Sequence, residues 1–281
     1  MYKQLRPFVS KISANKINGH GPEKASWGRR RISTSDGPKA EPKTSKRDWN
    51  LTLGRTDDDK AYIVRLNKIG LKTPMKNPLR ITDETLALII LSEWKSAGFR
   101  KKLNLTNMHF TTLAYEAIDN PFNESQAIMI DTIMEYLRFD TLRFRDTDHE
   151  ELLAKQSRYW DPLVGWFEHK FTCHIPIDYG NITSTTPIPN STQEIVSRHL
   201  ESHKRWPLVG LKLMCRNLKS YIIASALTEK IVGVERAVDL ARLETEYQTE
   251  KWSKVEWEHD IDEECTKARV SAGTLFYHLS L

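Results

Sequence analysis

The stretch "LRITDETLALIILSEWKSAG", Leu79 to Gly98, changes its apolar period midway, and the rest of the chain divides around that change. Upstream, apolar residues alternate. Trp49, Leu51 and Leu53 point one way, and Tyr62, Val64 and Leu66 repeat the pattern after the polar turn "RTDDDK". Alternation broken by a polar turn is the mark of a β-hairpin, and "KIGLKTP" and "LRI" continue it as short extended pieces. At Thr82 the period becomes helical: Thr82 can cap, Asp83 and Glu84 suit the positive end of the dipole, and Leu86, Ile90, Trp94 and Ala97 form a stripe that Gly98 ends. A small β-rich layer against one helix is therefore expected over residues 48–105.

Downstream, over residues 106–281, the punctuation is that of helices. "NMHFTTLAYEAIDNP" should stop at Asn120-Pro121, "NESQ" can box the helix bearing Ile130, Met134 and Leu137, and "WDP" places Asp161 at an N-cap with Pro162 in the first turn. After the extended break "TCHIPIDYGNITSTTPIP", a box from Ser191 to Glu194 and then "WPLVG", with Pro207 in a first turn, open further helices. The last helix carries Ile261, Cys265, Ala268, Ala272, Leu275 and Leu279 at spacings of three and four, with small residues Ala268, Ser271, Ala272 and Gly273 that permit close helix approach. The fold class expected is α+β: a small β-rich N-terminal domain with a helix, followed by a larger C-terminal α-helical, orthogonal bundle.

Charge is unevenly spread over the 281 residues. Residues 1–47 hold 12 Lys/Arg against 3 Asp/Glu, which leaves 30 against 34 for the remainder, so the formal +5 belongs to the leader and the body is mildly acidic. A body without basic excess argues against nucleic acid as partner. The leader "MYKQLRPFVSKISANKINGHGPEKASWGRRRIST" is acid-poor and serine-bearing, with Leu5, Val9 and Ile12 on one helical face. That is the composition of a mitochondrial transit peptide, followed by the linker "DGPKAEPKTSKR" up to residue 47. The longest apolar runs, "LALIIL" and "YIIASAL", fall far short of the ~20 residues of a membrane span, so membrane insertion is not expected. Cys173, Cys215 and Cys265 form no CxxC pair and read as buried free thiols of a reducing compartment.

Motifs for chemistry are sparse. No Walker pattern or GxGxxG provides a phosphate cradle, so no nucleotide and no other cofactor is expected. No HExxH occurs, and His199 and His203, four apart without a third ligand, read as a solvated helix face, so no metal is expected. What stands out is "LARLETEYQTEKWSKVEWEHDIDEE", Leu240 to Glu264, with nine carboxylates, two tryptophans and a histidine. Paired carboxylates near an indole could perform glycosidase-like hydrolysis, with no catalytic pair singled out. A solvated face with pairs such as Glu250–Lys254 explains several of the acids, and a docking surface explains the rest. If the last helix starts early, its stripe reaches Glu258 and Trp257.

Seven blocks, in consistent order over about residues 48–279, resemble the mitochondrial ATP synthase F(1) assembly factor family, the chaperone of the alpha subunit. They are "LSEWKS" (Leu91–Ser96), "MHFTTLAYEAIDNP" (Met108–Pro121), "LRFRD" (Leu142–Asp146), "YWDPLVGWFE" (Tyr159–Glu168), "WPLVGLKLMCRNLKSYIIASAL" (Trp206–Leu227), "ARLETEYQTEKWSKVEWEHDID" (Ala241–Asp262) and "SAGTLFYHL" (Ser271–Leu279). The resemblance implies a matrix protein that is not an enzyme and that shields unassembled alpha subunit until beta subunit replaces it. It implies a functional acid at Glu246 or its near neighbour Glu244; the acidic stretch itself extends the expected partner-binding surface to Glu256, Trp257 and Glu258. Trp94, on an amphipathic stripe, reads as core packing, as do Trp160 and Asp161 at their helix entrance. The reading from another class is a hydrolase using the acids from Glu244 to Glu264.

Overall fold

A computed structural model describes residues 50–97, 105–180, 185–252 and 258–281, without the side chains of residues 258 and 259. The leader, Trp49, Gly98, Glu256 and Trp257 lie outside the described residues. Residues 47–281 form one compact unit.

The hairpin joins β1 (Leu51–Arg55) to β2 (Tyr62–Leu66), antiparallel, with Leu53 opposite Val64. The other edge of β2 is shared by β3 (Ile69–Gly70) at one end and β4 (Arg80–Ile81) at the other. Leu51, Val64 and Ile81 are buried and face α1 (Glu84–Ala97), which returns Leu86, Ile90 and Trp94. The cap of α1 is Asp83 and not Thr82: its Oδ1 accepts the Leu86 N–H at 2.7 Å, and its carbonyl accepts the Ala87 N–H at 3.1 Å. The carboxylate one residue on reaches the open N–H groups with a charged acceptor, so it displaces the threonine.

Helix α2 (His109–Asp119) ends where expected, with Asn120 left-handed at φ 44°. Helix α3 (Gln126–Arg138) is capped by the Ser125 hydroxyl, which accepts from Ile128 N–H, instead of by a box on Asn123. β5 (Phe144–Arg145) pairs in parallel with β6 (Asp178–Tyr179), a small second sheet that the extended break hides.

Helix α4 (Glu150–Phe171) runs unbroken through the residues expected to start it. Asp161 and Pro162 lie in its interior. Leu152, Gln156, Trp160, Leu163, Phe167 and Phe171 make one unbroken buried stripe across the proline, and burial of that stripe outweighs the one backbone bond that Pro162 cannot donate. Asp161 instead pairs with the nearly buried Arg145 at 2.7 Å.

Helix α5 (Asn190–Glu201) starts without a side-chain cap, so Ser191 lies inside its first turn and no box with Glu194 forms. Helix α6 (Arg205–Leu218) has Pro207 in its first turn, as expected. Every residue of α7 (Tyr221–Thr228) from Tyr221 to Leu227 is buried, which makes it the centre of the core. His199 and His203 are not on a solvated face: His199 packs edge-on to Phe171 at 5.3 Å, and His203 Nε2 lies 2.7 Å from the Tyr277 hydroxyl. Burial lowers the His199 pKa.

Helices α8 (Val234–Trp252) and α9 (Glu258–Leu279) complete the bundle. The buried face of α9 carries Thr266, Val270, Ala272, Gly273, Phe276 and Tyr277; of the expected stripe Ala272 is buried and Leu279 half-buried, while Ile261, Cys265, Ala268 and Leu275 are exposed. The buried face is thus rotated from the expected stripe by up to a single residue's turn of about 100°, and the two overlap at Ala272. Cys215 is buried, Cys173 is half-buried and Cys265 is exposed, so the last departs from the buried thiol expected of it. Among the described residues no helix is long and apolar enough to cross a membrane.

Candidate docking surface

The packing of α4 on α8 decides what each acid of α8 can do. Trp160, fully buried, donates its indole N–H to the Leu240 carbonyl at 3.0 Å and fixes the two helices against one another. One turn earlier on α4, buried Gln156 accepts the Asp146 N–H at 2.9 Å and donates its amide to Glu244 at 2.8 Å. Glu244 thus faces the α4 seam. Burial there pushes its pKa up, against the pull of the Gln156 hydrogen bond. The Arg145 guanidinium, 5.0 Å from the Trp160 ring, closes this layer and reaches Asp161.

Glu246 is two residues further on and so roughly 200° around the helix. It lines a groove of about 350 Å³ between α4, α8 and α9. Its Oε1 lies 3.6 Å from Nε of Arg242, one turn back, and Arg242 also pairs with Asp262 on α9. The arginine ties α8 to α9 along the groove. Sequence reasoning passed over it, although its place four residues before Glu246 was legible.

The groove continues over Tyr247, which is buried, with the Lys251 and Lys155 ammonium groups 4.4 and 5.3 Å from its ring. Lys155 pairs with Glu250 at 2.8 Å, joining α4 to α8. Exposed pairs of this kind contribute ~0–1 kcal/mol each. They add little to stability, so a partner's charges can replace them at small cost. Where α8 ends, Trp252 is 70% exposed, and near the start of α9 Ile261 is 59% exposed, so large apolar groups flank the acids. Glu258 is the first residue of α9, but its side chain, like Glu256 and Trp257, lies outside the described residues. Trp94 is 6% exposed and Trp160 fully buried, which places both in the core, away from this surface.

The carboxyl with the raised pKa, Glu244, is bonded inward and is absent from the groove wall where Glu246 stands. Among the described residues no group of three or more His, Cys, Asp or Glu is placed to hold a metal. Ion pairs that can be exchanged, an aromatic floor and exposed apolar flanks on a rigid helical frame are the properties of an α+β docking scaffold.

Known chaperone proteins resemble this chain. Residues 46–168 match the family model described as ATP12 chaperone protein. The Schizosaccharomyces pombe protein named Protein atp12, mitochondrial, is 26% identical over 243 residues, covering 82% of this chain and 81% of its own. The Saccharomyces cerevisiae Protein ATP12, mitochondrial, is 22% identical over 275 residues, covering 83% and 84%. The crystal structure of Atp12 from Paracoccus denitrificans superposes with a TM-score of 0.73 at 24% identity over 84% of this chain and 98% of that one. The family model covers under half of this chain, and the relatives and the solved structure extend the likeness over about four fifths of it, so the chain is similar to ATP12 chaperone proteins in sequence and shares their fold.

Proposed function

We propose that this protein is a mitochondrial matrix chaperone for assembly of the ATP synthase catalytic head, which binds unassembled alpha subunit and yields it to beta subunit. The match of residues 46–168 to a chaperone family model supports the class, and the two curated relatives are named mitochondrial. The observation that carries the site is the division of labour on α8: Glu244 is bonded into the frame, and Glu246 stands on the groove wall with Arg242. An unassembled subunit exposes a large apolar interface that aggregates. A scaffold with flanking Trp252 and Ile261 covers such a surface, while the exchangeable ion pairs around Glu246 set register. Release then follows from competition by a tighter native partner, a difference of affinities that requires no catalytic residue and no nucleotide.

The reading is tested by mixing the purified protein with isolated alpha subunit, isolated beta subunit or the assembled head, followed by size-exclusion chromatography. The expected result is a stoichiometric complex with alpha subunit alone, dispersed by added beta subunit. Equal binding to beta subunit, or none to alpha, would overturn it.

A further inference from the structure

On a different face, a groove of about 380 Å³ lies between α2, α6 and two loops, and each loop places one large apolar side chain in the open. Met75 is 58% exposed and Phe122 is 83% exposed. Both loops are fixed by hydrogen bonds. The Met75 turn closes through the Lys76 N–H, which donates to the Thr73 carbonyl at 2.9 Å. The Asp119 carboxylate anchors that turn to α2, accepting the Met75 N–H at 3.1 Å and the Asn77 amide at 2.9 Å. The Phe122 turn runs between left-handed Asn120 and Asn123, at φ 44° and 50°. The Asn120 side chain accepts the Glu124 N–H at 2.9 Å and donates to the Glu124 carbonyl at 3.0 Å, which also accepts from Arg205 at 3.0 Å. A large apolar group held in water on a bonded turn has lost its freedom before any partner arrives, which is the preorganisation of a docking anchor.

Half-buried Tyr115 and Leu213 add to the apolar lining. The carboxylates of the groove already have their donors. Lys212 lies 2.7 Å from Glu116 and 2.9 Å from Glu124, and Asp119 is taken up by the Met75 turn. Two cations are left over. Among the described residues no carboxylate lies within ion-pair distance of Arg216, exposed on the α6 wall, or of Lys76, exposed beside Met75. The groove therefore offers exposed apolar anchors together with uncompensated positive charge.

We propose that this groove is a second docking site, apart from the α8 groove, whose occupant is a segment of a partner protein with apolar side chains flanked by Asp or Glu. The apolar side chains pack on Phe122 and Met75, and a carboxylate reaches Arg216, with Lys76 at the rim. Charge complementarity selects this occupant. A basic segment would meet two unpaired cations and find the lining carboxylates engaged, and a purely apolar one would strip water from Arg216 without supplying an opposite charge. The proposal does not depend on which subunit the α8 groove holds.

The test uses the full chain with isotope-labelled methionine methyl groups, observed by NMR. Among the described residues Met75 is exposed while Met108, Met129, Met134 and Met214 are buried, so the Met75 signal, assigned through Met75→Leu, reports the groove. A short peptide of Leu, Phe and Glu should shift that signal saturably, less so as salt is raised, and leave the buried methionines unmoved. Affinity should fall about tenfold in Arg216→Glu and by a similar factor in Phe122→Ser, both at exposed positions whose variants keep the fold by circular dichroism. The proposal is overturned if the peptide leaves Met75 unmoved, if a twin with Lys for every Glu or with Ser for every Leu and Phe binds as well, or if affinity is unchanged in either variant. A Met75 shift that follows protein concentration without peptide, and that Phe122→Ser abolishes, would assign the groove to a second copy and overturn it too.

Discussion

Gly210 on α6 and Gly273 on α9 meet backbone to backbone: a Cβ placed on Gly210 would lie 2.8 Å from the Gly273 carbonyl oxygen and 3.0 Å from the Tyr277 nitrogen. The helices cross this closely because neither carries a side chain there. Gly210→Ala forces the backbones apart and should destabilise the protein by about 1–3 kcal/mol, although alanine is the better helix former. Gly273→Ala should cost less, since its Cβ first meets the flexible Met214 side chain. Gly165, exposed on α4 with nothing within 4 Å of a Cβ, is the control: Gly165→Ala should stabilise by about 0.5–1 kcal/mol. Urea denaturation of the three variants checks the order.

Asp140 should give the protein an unusual pH signature. It is fully buried, accepts the N–H groups of Leu142 at 3.0 Å and Ile222 at 2.9 Å, and has its pKa pushed by burial up to about 6. A carboxyl raised above its unfolded value of 3.8 adds stability below that value and loses it as pH rises through about 6. Asp140→Asn turns an amide donor toward one of those N–H groups and should cost about 1–3 kcal/mol at pH 7. Chemical denaturation at pH 4.5 and 7 should show the gap between wild type and variant wider at pH 4.5.

Asp119 should behave in the opposite sense. Burial raises its carboxyl, but hydrogen bonds from Thr73, the Asn77 amide at 2.9 Å and the Met75 N–H at 3.1 Å outweigh it and leave the pKa lowered. These bonds pin the loop before β4 to the end of α2. A depressed carboxyl contributes stability above its unfolded value of 3.8 and loses it on acidification, so wild type and Asp119→Ala should converge below that pH. At pH 7 the variant should lose about 1–3 kcal/mol, and amide exchange over residues 73–77 should quicken.

Much of this was legible before any coordinates. The hairpin and α1 follow from a change of period at one place, and the stop at Asn120 from a residue that tolerates the left-handed turn. The misreadings share a cause: a local signal outweighed by packing that the chain cannot display. "WDP" is a sound helix start, yet the stripe from Leu152 to Phe171 runs through it. On α9 two apolar faces overlap at Ala272, and the face buried is the one whose Gly273 meets Gly210, far off in sequence. In the same way the spacing of Glu244 and Glu246 says that they face opposite sides, but only the position of Gln156 says which one faces in.

The central claim rests on that last distinction. Light scattering of isolated alpha subunit, incubated with wild type, Glu246→Lys or Glu244→Gln, measures it directly. Wild type should suppress aggregation at near-equal stoichiometry. Glu246→Lys should lose most of that suppression while staying folded by circular dichroism, with a modest loss of stability from the second cation beside Arg242, and Glu244→Gln, altered at the seam with a comparable change in stability, should suppress as wild type does. Full suppression by Glu246→Lys would contradict the placement of the client on the α8 groove, and no suppression by wild type would contradict the chaperone account itself.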